Sequence, residues 1–227
     1  CKFTYLKPAK AGGPGGADDH RFTNLVGSSK SDFPTDGHYS ITFQNCYWAE
    51  GCKERMPRAR NAELHLLNCY YNTTVSGSLA IGLGGGNNNT TCYVENTNFA
   101  NIAGVYRNYN STDGGTVGLI FDGCMNGSAN VGSVSKPSYA YTVLPVADVA
   151  AAVANGNCGA GATLNVTAEG VISSGCAALG QYEFMLSKVL FYPTLVDSTL
   201  TVELPESMDG LANIEVFSIS GAQVFSL

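Results

Sequence analysis

Apolar and polar residues alternate in short bursts through the middle of the chain, and the bursts repeat. Ile41-Thr42-Phe43-Gln44-Asn45-Cys46-Tyr47-Trp48 is answered by Leu64-His65-Leu66-Leu67-Asn68-Cys69-Tyr70-Tyr71 and then by Cys92-Tyr93-Val94-Glu95-Asn96-Thr97-Asn98-Phe99. A weaker copy is Val117-Gly118-Leu119-Ile120-Phe121-Asp122-Gly123-Cys124. Alternation over four to eight positions predicts a half-buried strand, and each strand here runs into Asn or Asp. The markers Asn45, Asn68, Asn96 and Asp122 recur every 23 to 28 residues. A period of that size with loops of variable length is how solenoids read. The alternation excludes helical solenoids, and a propeller blade needs several strands per repeat. The pattern therefore predicts an all-β chain built on a right-handed parallel β-helix. Stacked turns put equivalent residues about 4.8 Å apart, so Asn45, Asn68 and Asn96 could join in an amide ladder, and Cys46 would stack on Cys69. The turn preference of Asn accounts for the same positions without a ladder.

The pattern changes twice further on. Val146, Val149 and Val153 share one face of an Ala-rich segment, with Pro145 suited to its start and Gly156 beyond its end, which predicts a short helix. After about residue 187, the stretches 189–194, 199–202 and 214–221 read as short strands separated by turn signals. The division is a β-helix over 1–186 and a small, partial β-sandwich over 187–227.

Composition narrows the classes. The charged fraction of 13% is well below the usual ~25%, and 27 glycines suit a turn-rich β protein. No apolar run reaches the ~18 residues of a membrane span, so none is predicted. A net charge of -6 argues against a nucleic-acid surface, which needs a broad basic footprint. The eight cysteines include no C-x-x-C pair, which counts against a zinc or redox motif. Buried free thiols are the default, with Cys158 and Cys176 as a candidate bridge.

Against this acidic background, Glu54-Arg55-Met56-Pro57-Arg58-Ala59-Arg60 gathers three of the five arginines within six residues, bordered by Lys53. Arginine stays charged and its planar fork fits carboxylates, so the natural guest is a polyanion. The plainer account is a solvated charged face. His65 lies on an apolar strand and reads as a hydrogen-bonded core residue. His20 and His38 have no paired nucleophile. Gly84-Gly85-Gly86 lacks the strand-to-helix frame and Lys-Ser/Thr of a phosphate loop and reads as a turn. Lys30-Ser31-Asp32 with Asp36 reads as a solvated turn.

Four segments in register carry a resemblance: Leu25-Val26-Gly27-Ser28-Ser29, Tyr39-Ser40-Ile41-Thr42-Phe43, Arg55-Met56-Pro57-Arg58-Ala59-Arg60 and Leu64-His65-Leu66-Leu67-Asn68-Cys69-Tyr70-Tyr71. In order and spacing they resemble the C-terminal half of pectate lyases of polysaccharide lyase family 1. The resemblance covers roughly residues 1 to 165, including Pro137-Ser138-Tyr139-Ala140-Tyr141-Thr142 and the predicted helix. It implies cleavage of α-1,4-polygalacturonate by β-elimination, assisted by Ca2+. Arg55 would be the base that takes the C5 proton, and Arg60 would hold the substrate carboxylate. Arg58 and Lys53 would line the substrate, and Arg21, displaced by the Gly/Pro-rich insertion 11–17, is the nearest match to a further substrate cation. The family's main calcium ligands fall on strands upstream of Cys1, so no metal ligand is assigned here, and a fragment without them is expected to have doubtful activity alone.

The stretches after residue 187 resemble the C-terminal sorting domain of type IX secretion cargo, although Thr194 replaces the usual Asn. That resemblance implies a protein secreted to the cell surface or beyond by a Gram-negative bacterium. The expected partner is acidic plant cell-wall polysaccharide, met by a monomer. Two alternatives stand beside the pectate lyase: a calcium-independent pectin lyase, whose cleft is aromatic rather than cationic, and a non-catalytic β-helix that only binds acidic polysaccharide.

Overall fold

The computed structural model describes residues 1–8 and 19–162, and beyond them the backbone of six short strands. Three parallel sheets, each four strands deep, wrap one core. The first sheet stacks β1 (Lys2–Phe3), β4 (Tyr47–Trp48), β7 (Tyr70–Asn72) and β10 (Asn98–Asn101). The second stacks β2 (Leu25–Val26), β5 (Arg58–Ala59), β8 (Leu79–Leu83) and β11 (Gly104–Asn108). The third, and longest, stacks β3 (Tyr39–Gln44), β6 (Ala62–Leu67), β9 (Thr90–Glu95) and β12 (Val117–Asp122). Each circuit of the chain adds one strand to every sheet, as a parallel β-helix requires.

In the third sheet Ile41 pairs with Leu64, Leu64 with Cys92 and Cys92 with Leu119. Successive side chains point to opposite faces, so this row and the row Phe43, Leu66, Val94, Phe121 both face the core. A second interior file runs through the first sheet. Phe3 stacks on Trp48 at 5.3 Å, Trp48 on Tyr71 at 4.5 Å and Tyr71 on Phe99 at 4.7 Å between ring centroids. Offset ring pairs of this kind add roughly 0.5–1.5 kcal/mol each beyond their burial.

The corner between the third and first sheets explains the repeated Asn. Asn45, Asn68 and Asn96 have φ of 51°, 51° and 43°, the left-handed region that Asn tolerates and β-branched residues do not. Their backbone N–H groups each donate to the next coil, to the carbonyls of Leu67, Glu95 and Asp122. The fourth marker is not Asp122, which pairs with Glu95 inside the strand, but Gly123, at φ 60°. A Cβ at Gly123 would meet Asn96 Oδ1 at 2.3 Å, so a side chain there would have to displace the Asn96 amide from its place in the stack.

The amide ladder does not form between these side chains. Asn68 Nδ2 donates to the Thr142 carbonyl at 3.1 Å and its Oδ1 accepts from Leu144 N–H at 3.0 Å, while Asn96 Nδ2 donates to the Leu144 carbonyl at 2.7 Å. The reason is the segment 130–144, which runs back over the outside of the third sheet and offers backbone partners that a neighbouring amide would otherwise have to supply. Just inside the corner, Cys46, Cys69 and Cys124 each donate their thiol to the carbonyl two residues earlier, at 3.5, 3.4 and 3.5 Å. Thr97 makes the same contact with its hydroxyl at 3.1 Å. Cys1, Cys46, Cys52, Cys69, Cys92 and Cys124 are free; Cys158 is disulfide-bonded, and Cys176, its suggested partner, lies outside the described residues.

Segment 130–144 forms a strap that leads into α2 (Val146–Val153), which buries Val149 and Val153 as the spacing of its valines predicts. A further helical turn, α1 (Asn110–Asp113), sits between β11 and β12. Further along, β13 (Asn165–Val166) pairs antiparallel with β14 (Ile172–Ser173). The chain divides into two compact units, Cys1–Gly180 and Gln181–Leu227. In the second, β15 (Leu190–Tyr192) pairs antiparallel with β16 (Thr201–Glu203), and β17 (Glu215–Phe217) with β18 (Gln223–Ser226). The sandwich expected over 187–227 rests on layers outside the described residues.

Candidate functional site

The arginine run lies on the second sheet, where the chain needs little room. In β5 Ala59 points inward and Arg58 outward, and in β8 the alternation Ile81-Gly82-Leu83-Gly84 sends both glycines outward. Arg58 pairs in register with Leu25 on one side and Gly82 on the other. The outer face of this sheet therefore carries two cations, Arg58 and Arg60, beside a shallow trough floored by Gly82 and Gly84.

Two side chains fill that trough. A Cβ at Gly82 would meet Tyr109 Cε2 at 2.9 Å, and one at Gly84 would meet Asp113 Oδ2 at 2.1 Å. Tyr109 and Asp113 reach these places because α1 is seated on the end of β8. Tyr109 N–H donates to the Leu83 carbonyl at 2.7 Å, and Gly85 N–H donates to Asn110 Oδ1 at 2.9 Å.

The Asp113 carboxylate, only 7% exposed, answers two guanidiniums at once. Arg58 Nη2 donates to its Oδ2, and Arg60 Nε lies 3.0 Å from Oδ1. The second contact is an ion pair off the hydrogen-bond direction, so that Nε lacks a well-aligned acceptor. Arg58 also donates to the Ala59 carbonyl at 3.1 Å and lies 3.9 Å from the Tyr109 ring centre. Arg60 Nη1 donates to the Gly27 carbonyl at 2.9 Å. Burial pulls the Arg58 guanidinium below arginine's ordinary value, with Asp113 opposing it. Burial also pushes the Asp113 carboxyl up, but the hydrogen bonds and charges of Arg58 and Arg60 outweigh it and hold the group below the usual carboxylate value.

A second carboxylate, Asp19, does the same for the other pair of cations. Arg21 donates to both its oxygens, at 2.8 and 2.6 Å, and Lys53 Nζ lies 3.2 Å from Oδ2. Asp19 is held far below the usual carboxylate range, chiefly by the Arg21 guanidinium. The segment around Arg21 is zipped alongside the run: Lys53 N–H donates to the Arg21 carbonyl at 2.9 Å, and Thr23 N–H to the Glu54 carbonyl at 3.2 Å.

Arg55 differs from the other four. Among the described residues its guanidinium has no carboxylate partner and instead lies 4.2 Å from the Phe22 ring centre. Its backbone is in the left-handed region at φ 62°, preceding a cis Met56–Pro57 peptide. Its carbonyl is pinned by Asn24 N–H at 2.7 Å and by the Thr23 hydroxyl at 2.5 Å. A non-glycine residue at positive φ costs energy, and here hydrogen bonds on both sides of the peptide hold it there, with Met56 N–H donating to the Ala80 carbonyl.

Sequence reasoning singled out Arg21, Lys53, Arg55, Arg58 and Arg60, all of which lie along one stretch of the second sheet and the strand-like segment beside it. It missed Asp19, Phe22, Tyr109 and Asp113, which decide what those cations can do. The one local signal was the Ile-Gly-Leu-Gly alternation, which leaves two outward positions without side chains and so invites something to cover them. Among the described residues no three His, Cys, Asp or Glu side chains converge. Compared with known proteins, the chain matches no family model and no curated protein.

Proposed function

We propose that this β-helix binds an acidic polysaccharide along the outer face of its second sheet and cleaves it by β-elimination, as a pectate lyase does on polygalacturonate. The observation that carries the reading is Arg55: among the described residues its guanidinium alone in the run lacks a carboxylate partner, and its backbone is fixed by flanking hydrogen bonds. With its face against Phe22 and no carboxylate beside it among the described residues, that guanidine has donors to offer a guest. In the elimination, Arg55 takes the proton from C5 of a uronate unit. The electron pair left behind forms the C4–C5 double bond, the C4–O4 bond breaks, and the departing O4 gains a proton from solvent. Arg60, with one edge on Asp113 and Gly27, keeps a guanidinium edge for the uronate carboxylate.

Arginine's ordinary pKa lies above about 12, so a reaction using a guanidine as base runs faster as pH rises. The direct test is the absorbance of unsaturated uronide on mixing with polygalacturonate at alkaline pH, with and without added Ca2+ and chelator. Arg55→Lys should abolish that signal while retention on a polygalacturonate column persists. Undiminished product from the variant would remove Arg55 from the role of base. A polyuronate of the plant cell wall is an extracellular polymer, so this reading carries export with it. The antiparallel strand pairs of residues 190–226 support a small β module of the kind that type IX secretion recognises.

A second reading has an observation of its own. Asp19 and Asp113 already occupy four of the five cations, which favours a surface that holds an acidic chain without reacting on it. Retention on polygalacturonate with no unsaturated product under any of those conditions would select it.

A further inference from the structure

Beyond the arginine run, the same face continues for two more coils. In β11 Arg107 pairs in register with Gly82, which pairs with Arg58. Successive coils are about 4.8 Å apart, so Arg107 stands roughly 10 Å along the β-helix axis from the level of Arg58. Arg107 is exposed and, among the described residues, has no carboxylate partner; its Nη1 reaches only the Tyr109 hydroxyl, at 3.4 Å. The Tyr109 ring lies between the two levels, over the bare backbone of Gly82, with the Arg58 guanidinium 3.9 Å and the Arg107 guanidinium 5.9 Å from its centre. It is half-buried, so part of its apolar surface stays open.

An aromatic ring seated against glycine, with a guanidinium 5.9 Å from its centre that has no carboxylate partner among the described residues, matches a sugar unit that bears a carboxylate. The apolar C–H face of the ring would rest on Tyr109, and the carboxylate would take the fork of Arg107. We propose that Arg107 and Tyr109 form an additional uronate subsite, distal to Arg55, which lets the protein grip a longer stretch of acidic polysaccharide lying along the axis. The inference rests on the polyuronate reading above and deepens it. Two features give the strip its chemistry. Its cations without a carboxylate partner among the described residues, Arg55 and Arg107, lie two coils apart while Asp113 holds Arg58 and Arg60, and each stands against an aromatic ring, Phe22 or Tyr109. A periodic polyanion with apolar faces between its charges fits that alternation.

The experiment is calorimetric titration of the whole chain with galacturonate trimer and hexamer, using the wild type, Arg107→Gln and Arg107→Lys, in the Arg55→Lys background so that no ligand is consumed. Arg107→Gln should weaken the hexamer about tenfold, equivalent to ~1.4 kcal/mol, and leave the trimer unchanged, with partial recovery in Arg107→Lys. Arg107 is exposed, so its substitution leaves the fold intact, which an unchanged melting temperature would verify. Equal hexamer affinity in all three proteins would overturn the subsite while leaving polyuronate binding standing. Equal weakening of trimer and hexamer would also overturn it, because Arg107 would then belong to the primary site. Absence of binding by either oligomer to any protein would overturn the polyuronate reading itself, and the subsite with it.

Discussion

Removing the Asp113 carboxylate would leave Arg58, 8% exposed, facing only the Ala59 carbonyl and the Tyr109 ring. A buried charge stripped of its partner is costly, so Asp113→Ala should lower stability by about 3 kcal/mol, read from the urea midpoint. Gly84→Ala should act through the same contact, since its Cβ would land 2.1 Å from Asp113 Oδ2 and push the carboxylate off both arginines. If Gly84→Ala melts at the wild-type temperature, the trough is not as tight as the geometry states. The Asp113 and Asp19 carboxyls are both held below their ordinary value, so their contribution is complete above about pH 4 and is lost as pH falls through their folded-state values. At this scale the sequence was half legible. Three arginines in six residues are visible in any reading, but the aspartates that pair with Arg58 and Arg60 and with Arg21 and Lys53 are not. Asp19 borders the insertion, and Asp113 arrives from a turn two coils later, placed by α1 against two glycines whose significance is only steric.

The strap of residues 130–144 is the element whose removal would change most. Tyr139 shares hydrogen bonds with the Thr42 hydroxyl at 2.7 Å and with His65 Nδ1 at 2.5 Å, and Lys136 donates to Glu95 Oε1 at 2.5 Å. Under the strap, His65 Nε2 lies 3.5 Å from Glu95 Oε2, and Tyr93 donates its hydroxyl to Asp122 at 2.7 Å. Burial pulls His65 below the ordinary histidine value, partly opposed by Glu95. The groups facing it are Glu95, Lys136, Tyr93, Tyr139 and Tyr141. The unfolded chain therefore takes up the His65 proton first. Stability from this group is complete above about pH 6.5 and declines as pH falls through the lower folded-state value. The melting temperature should drop between neutral pH and pH 5, and His65→Phe should flatten that slope; an unchanged slope would mean that His65 does not titrate with folding. Strand identity and the α2 helix were readable because alternation and the spacing of Val146, Val149 and Val153 are local. The fourth corner was misplaced by one residue because Asp122 resembles the Asn series chemically. The stack selects by backbone conformation and clearance, and Gly123, not Asp122, takes the left-handed corner.

At the scale of the whole molecule, the period of the markers was enough to predict the architecture, since only stacked parallel coils satisfy one strand per repeat with variable loops. The same pattern carried no information about the direction in which the loose end would travel after β12. That path is set by contacts of high sequence separation, such as Asn68 with Thr142 and Leu144. It has a mechanical consequence. A stack in which each layer touches only its neighbours frays from its ends, one layer at a time. Here a single crosspiece is fastened in turn to Leu119, Glu95, Asn96, Asn68, His65 and Thr42, much as a spine binds the pages of a book. Amide protons of β3 and β9 should accordingly exchange through one shared opening, with equal free energies, and Tyr139→Phe combined with Lys136→Ala should separate them. Were the two strands already to exchange independently in the unaltered protein, the binding would be ornamental; if they move together, loosening one margin loosens every leaf.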